Sequence, residues 1–182
     1  MPKKTSESTR YTLPAITLHW LLALLILGTF IVGLYMADLP RSPDRNLLFN
    51  WHKWFGLLIL ALSILRLAWR VTHKPPPDLP APTWQISLAH RTHQLMYLLF
   101  FAVPLIGWAY SSAAGASIVW FGVVHVPALL APDKALAETI KPLHALLADG
   151  LIVLVGLHVA AALKHHLIDR DGLLHRMLPG RN

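Results

Sequence analysis

Four apolar stretches dominate the chain, at Ile16–Met36, about Asn46–Arg70, about Leu88–Tyr110 and about His144–Leu163. Each is long enough for the hydrocarbon core of a bilayer, which takes about twenty helical residues. Lipid offers no partner to backbone amides, so such segments must satisfy their own hydrogen bonds as helices. The composition agrees, with 55% hydrophobic and 14% charged residues, where a soluble domain carries roughly 25% charged. The expected fold is an all-α integral membrane protein, a four-transmembrane-helix bundle forming a single domain over residues 1–182.

Four spans return both termini to one side. The N-terminal tail, the connection between spans two and three and the C-terminal tail hold eleven of the sixteen Lys and Arg residues, and the other two connections hold five. The positive-inside rule therefore puts the termini in the cytoplasm. The net charge of +7 reads as this topology signal, and nucleic-acid binding is set aside. The first apolar segment is too long for a cleavable signal peptide, with no small-residue cleavage site ahead of a soluble domain.

The second span is the weakest, because Lys53 and Arg66 flank its apolar core, and both must snorkel. Pro104 is expected to kink the third, and most of the seven tryptophans fall near span ends as an aromatic belt. Residues 1–13 are polar and expected to fray. Lys74–Pro82 is a stiff extended strap, since its prolines forbid helix. In the long connection Ser111–Lys141, the patch Ile118–Val126 is too short to span and should lie in the interface or cap the bundle, followed by a separate short helix at Lys134–Ile140. Lys164–Leu178 reads as an amphipathic extension along the membrane surface.

Eleven histidines are a heavy load for 182 residues, and a polar side chain inside a span is a functional candidate by default. Four of them share a pattern: His19 with Ala23, His52 with Gly56, His144 with Ala148 and His158 with Ala162. Residues four apart are neighbours on one helix face, so an imidazole followed by a tiny side chain leaves a flat slot, the shape a haem needs. His144 and His158, fourteen residues apart, project from one face about 21 Å apart in height. Depth supplies the pairing: His52 and His144 lie near the outer ends of spans two and four, and His19 and His158 near the inner side. This gives two stacked haems, an outer one between His52 and His144 and an inner one between His19 and His158.

His90 and His93 are rivals at the inner end of span three, but Gln94 and Tyr97 follow them at i+4 and leave no slot. Their alternative role is as partners for a propionate or a quinone. The absence of cysteine excludes disulfides, thiolate-ligated iron–sulfur clusters and covalent haem attachment, so the iron of each haem would be held without a covalent tether. Two histidines on each iron fill both axial positions and leave electron transfer as the main chemistry. Arg66, Arg70 and Arg91 near the inner side, with Lys53 and Lys141 near the outer, suit haem propionates or serve only as topology determinants. Asp149, five residues after His144, is costly in a span unless it pairs or meets water.

Thr17-Leu-His-Trp20, His52 with Gly56, Leu88-Ala-His-Arg-Thr-His93, Val103-Pro-Leu-Ile-Gly107 and the run from Lys141 through His144 to Gly156-Leu-His158 and His166 together resemble the bacterial cytochrome b561 family, in its di-haem superoxide:ubiquinone oxidoreductase form. The likeness runs from about Tyr11 to Pro179. It implies a bacterial inner-membrane four-helix bundle holding two b-type haems, on His19 with His158 and on His52 with His144. The b-type subunits of formate dehydrogenases and nickel–iron hydrogenases share ligands on spans one, two and four.

The leading functional reading is oxidation of superoxide at the outer side, where Lys141 and Lys53 with Arg41, Arg45 and Lys134 draw an anion. Electrons then pass to membrane ubiquinone at the inner side, where His165, two turns beyond His158, would protonate the quinone. The runner-up is a membrane anchor relaying electrons between a partner dehydrogenase and quinone, favoured by any large apolar docking face on Ser111–Lys141. A haem-free four-span transporter or structural protein using its histidines for protons is the third.

Overall fold

The computed structural model describes residues 10–180 and contains four long helices. Helix α1 spans Leu13–Asp38, α2 Pro43–Thr72, α3 Thr83–Ala113 and α4 Lys134–Lys164. All four are long and apolar enough to cross a membrane. Each outruns its apolar core, because flanking polar and aromatic residues continue the helix at the bilayer surface. Local chemistry sets several starts. Ser42 Oγ accepts from the Arg45 amide at 3.1 Å, with Pro43 in the first turn, and Asp133 Oδ1 accepts from the Leu136 amide at 3.0 Å, so each caps an amide that lacks a helical partner.

The Asp133 cap corrects one expectation. Lys134–Ile140 is no separate helix but the first two turns of α4, which runs on through Pro142. The proline forfeits one backbone hydrogen bond, which helices in a packed membrane bundle tolerate. The patch Ile118–Val126 is an antiparallel hairpin, β1 (Ile118–Trp120) on β2 (Val124–Val126), with Ile118 opposite Val126. Its turn places Phe121 and Gly122 at φ 49° and 74°, the twist that suits a tight hairpin. Trp120 Nε1 donates to the Trp54 carbonyl at 3.0 Å, and the Phe121 ring lies 5.5 Å from Trp54 and 5.9 Å from Phe55. The hairpin therefore packs on the side of α2, about three turns in from its start at Pro43.

The C-terminal segment is not one amphipathic helix. A π-helical turn, His165–Asp169, ends at Arg170 in the left-handed region, Gly172 reverses the chain, and a 3-10 turn follows at Leu174–Met177. The reversal folds the tail back under the bundle. Arg10 donates to the carbonyls of His175, Leu178 and Gly180, Trp20 Nε1 to that of Met177 at 2.7 Å, and Arg176 to that of Pro77 at 2.8 Å. Residues 1–9 of the N-terminal tail lie outside the described residues; Arg10 and Tyr11, expected to fray, are tied down by this clamp. The strap 74–82 is non-helical as expected.

Helix α1 packs on α2, α2 on α3 and α3 on α4, while α4 touches α1 only lightly. A plug of Leu22, Ile26, Ile59, Met96, Leu99, Phe100 and Leu151 fills the middle of the bundle. Leu151 lies midway between His144 and His158, so the plug separates two levels of histidines. The seam of α2 facing inward reads His52, Gly56, Ile59, Ser63, Arg66 and Arg70, a spacing of three and four that keeps one face turned to the core.

Candidate redox centre

At the hairpin face of the bundle, the rings of His52 on α2 and His144 on α4 stand 6.1 Å apart between centroids. At the face carrying the termini, His19 on α1 and His158 on α4 stand at the same 6.1 Å. Two imidazoles bound to one metal through bonds of about 2 Å, each ring centre lying about 1.2 Å beyond its nitrogen, would be separated by roughly 6 Å. Both pairs fit that spacing. His93 sits 5.3 Å from His158, closer than two rings on opposite sides of one metal would stand, and His90 instead pairs with Asp78 at 3.1 Å.

The hairpin-face pair is also oriented. His52 Nδ1 donates to the Thr29 carbonyl at 3.1 Å and His144 Nδ1 to the Val103 carbonyl at 3.0 Å. A carbonyl only accepts, so the proton lies on Nδ1 and Nε2 keeps its lone pair for a metal. Two glycines make this possible: Gly33, which the sequence pattern did not single out, and Gly107, which stood out only as the end of the Val103–Gly107 motif. A Cβ on Gly33 would lie 3.0 Å from His52 Cε1, and one on Gly107 would lie 2.8 Å from His144 Cε1. Each glycine sits four residues after the accepting carbonyl, so the missing side chain lets the ring reach helix backbone. The signal was present as Thr29 with Gly33 and Val103 with Gly107, a small residue one turn beyond a carbonyl rather than beyond a histidine.

Between these rings is a cavity of about 320 Å³ lined by His52, Gly56, His144 and Ala148, with Arg45, Lys141 and Asp149 on its wall. A Cβ on Gly56 would meet nothing within 4 Å, as expected of a slot residue. Lys141 thus joins the histidine pair, whereas Lys53, half-buried on α2, is not part of that wall. Arg45 is held by a bond from Nε to the Met36 carbonyl at 3.2 Å and by the Phe49 ring at 4.8 Å. At the other face, His165 opens the π-helical turn. Its Nδ1 meets Asp171 at 2.5 Å and Asp169 at 3.3 Å. Slight burial raises the Asp171 carboxyl, but hydrogen bonds from the Leu173 amide and His165 outweigh it and hold it below its ordinary value. No ring contact joins His165 to His158 among the described residues; His93 occupies that neighbourhood.

Facing imidazole pairs at two depths of a four-helix membrane bundle define a class of haem-binding electron-transfer proteins. Residues 10–180 match the family model described as prokaryotic cytochrome b561, and the chain belongs to that family. It is 37% identical to cytochrome b561 homolog 2 of Escherichia coli, over 96% of this chain and 94% of that protein. It is 35% identical to the probable superoxide oxidase CybB of Yersinia pestis, over 93% and 96%, and 27% identical to cytochrome b562 of Cereibacter sphaeroides, over 94% and 96%. The protein is a multi-pass bacterial inner-membrane protein of membrane electron transfer.

Proposed function

We propose that this protein oxidises superoxide at its hairpin face and reduces ubiquinone at the face carrying the termini. Two superoxide anions each give up one electron and leave as dioxygen; one ubiquinone takes two electrons and two protons and leaves as the quinol. The observation that carries the reading is the hairpin-face cavity, where Lys141 and Arg45 share a wall with a facing histidine pair.

His52 with His144 and His19 with His158 would each hold one haem b, and two imidazole pairs facing at 6.1 Å suit that cofactor. Held by these histidines, the group would supply one-electron transfer. Thr29 and Val103 fix two of the rings through their carbonyls. Lys141 and Arg45 raise the local concentration of an anionic substrate, an effect worth about 10–10³ in association rate, with Lys53 adding to the field from the next position after His52. The apolar plug around Phe100 and Leu151 keeps water out between the two levels. His165 is the proton donor to quinone in this reading: Asp171 accepts its Nδ1–H and fixes the ring, leaving Nε2 as the atom that hands on a proton. The name of the Yersinia pestis relative supports superoxide as the substrate.

Stopped-flow mixing of oxidised protein with superoxide tests the proposal. Reduction should be fast in the wild type and at least tenfold slower in Lys141→Gln. His165→Ala should keep that step and slow quinol formation by about 10²–10⁴, the usual worth of general acid help. Slow reduction of the wild type by superoxide would instead favour docking of a reducing partner on the hairpin tip, where Phe121, Val123 and Val124 are exposed.

A further inference from the structure

A second cavity of about 320 Å³ opens at the face carrying the termini, among the ends of α1 and α2, the proline strap and the folded tail. Among the described residues Arg10, Arg66, Arg70 and Lys74 line it, with no aspartate or glutamate. Arg66 and Arg70 sit one turn apart, where like charges repel. Both nevertheless converge on one ring: their guanidinium carbons lie 6.0 and 5.9 Å from the centre of Tyr97, and Arg66 Nε donates to the Tyr97 hydroxyl at 3.2 Å. Among the described residues Arg66, Arg70 and Lys74 form no salt bridge. The mutual repulsion of two guanidiniums on one ring, with Lys74 on the same cavity wall, is a cost that an anion at the same place offsets.

The surroundings say which anion. Trp69 donates to the Thr12 hydroxyl at 2.9 Å and stacks on His73 at 3.8 Å, an indole at the cavity wall in the position of an interfacial anchor. Beside the cavity, Leu13 and Val71 stand 68% and 76% exposed and turn apolar surface outward. A ligand that fits both features has a phosphate head and hydrocarbon tails. Basic pockets between transmembrane helices at the cytoplasmic side take such head groups, and the Lys and Arg distribution assigns this face to the cytoplasm.

We infer that this cavity is a binding site for an anionic phospholipid, with Arg70 and Lys74 on the phosphate and the acyl chains along Leu13 and Val71. Arg66 lies deeper, one turn further into the bundle, on the side of the His19 and His158 pair. The lipid seals the cleft between strap and tail, neither of which closes it by apolar packing of its own.

The test uses the holoprotein in lipid nanodiscs. Bound lipid is counted by native mass spectrometry after exchange into phosphatidylglycerol or phosphatidylcholine, and haem is counted in the same samples. The wild type should retain phosphatidylglycerol in preference to phosphatidylcholine. Arg70→Gln with Lys74→Gln should weaken that retention at least tenfold with haem content unchanged. Lys74→Gln alone, on the non-helical strap, should weaken it with no effect on folding. Equal retention of the two lipids, or of phosphatidylglycerol by wild type and variants, would overturn the inference. Loss of a haem in the double variant would overturn it too, reassigning the cations to propionates. Binding of millimolar inorganic phosphate with no preference for phosphatidylglycerol over phosphatidylcholine would mean that the site takes phosphate alone and would overturn the inference.

Discussion

At the scale of single residues, small side chains do two different jobs around the histidines. Gly56 and Ala148 leave room in the cavity, whereas Gly33 and Gly107 let an imidazole seat against a carbonyl of the neighbouring helix. The second job tolerates less change, because Gly107→Ala would put a methyl 2.8 Å from His144 Cε1. The ring must then move away from the Val103 carbonyl. Loss of such a supporting bond typically costs 10–100-fold in affinity for the bound metal. Haem titrations of apoprotein should show that loss in Gly107→Ala and a smaller one in Gly33→Ala. Gly28→Ala, where a Cβ meets nothing within 4 Å, should bind as the wild type does. Equal affinity in all three would show that the carbonyl seat does not matter.

At the scale of elements, the C-terminal segment shows how far hydrophobic pattern reaches. Its alternation of Leu and Ile with basic residues is the pattern of a surface helix, yet the helix stops at a π-helical turn and the chain reverses at Arg170 and Gly172. What holds the reversal is Arg10, 165 to 170 residues away in sequence, on three carbonyls of the tail. No local pattern encodes a bond of that span. Arg10→Gln should therefore loosen the tail alone. One charge-assisted hydrogen bond is worth about 1.5 kcal/mol or more, roughly a tenfold change in opening. Amide exchange of residues 173–178 should speed up by about that factor while exchange within the four spans stays unchanged.

Across the whole molecule, α4 contributes a histidine to each level, and α1 and α2 contribute one each. The looseness of the contact between α4 and α1 leaves the space that the rings face. Pyridine haemochrome analysis should find two haems in the wild type and one in His144→Ala or His158→Ala, the lost haem differing between the two variants. His90→Ala and His93→Ala should keep both. Loss of a haem in His93→Ala would move that residue from neighbour to ligand at the terminal-face level, where its ring already lies 5.3 Å from His158.

Four spans and the candidate histidines were legible in the linear chain for one physical reason. The cost of exposing backbone and charge to lipid is paid locally, so apolar length, helical spacing and the small residue at i+4 leave their marks within a few turns. Other features depended on groups brought together from distant positions. The carbonyl seats at Thr29 and Val103 need α1 beside α2 and α3 beside α4. The merging of Lys134–Ile140 into α4, the hairpin folded over Trp54 and the tail clamped by Arg10 are further contacts that only packing creates. The cationic cavity is the clearest case, because Arg10, Arg66, Arg70 and Lys74 are spread over 65 positions of sequence and share one wall only after the helices, strap and tail have closed around it.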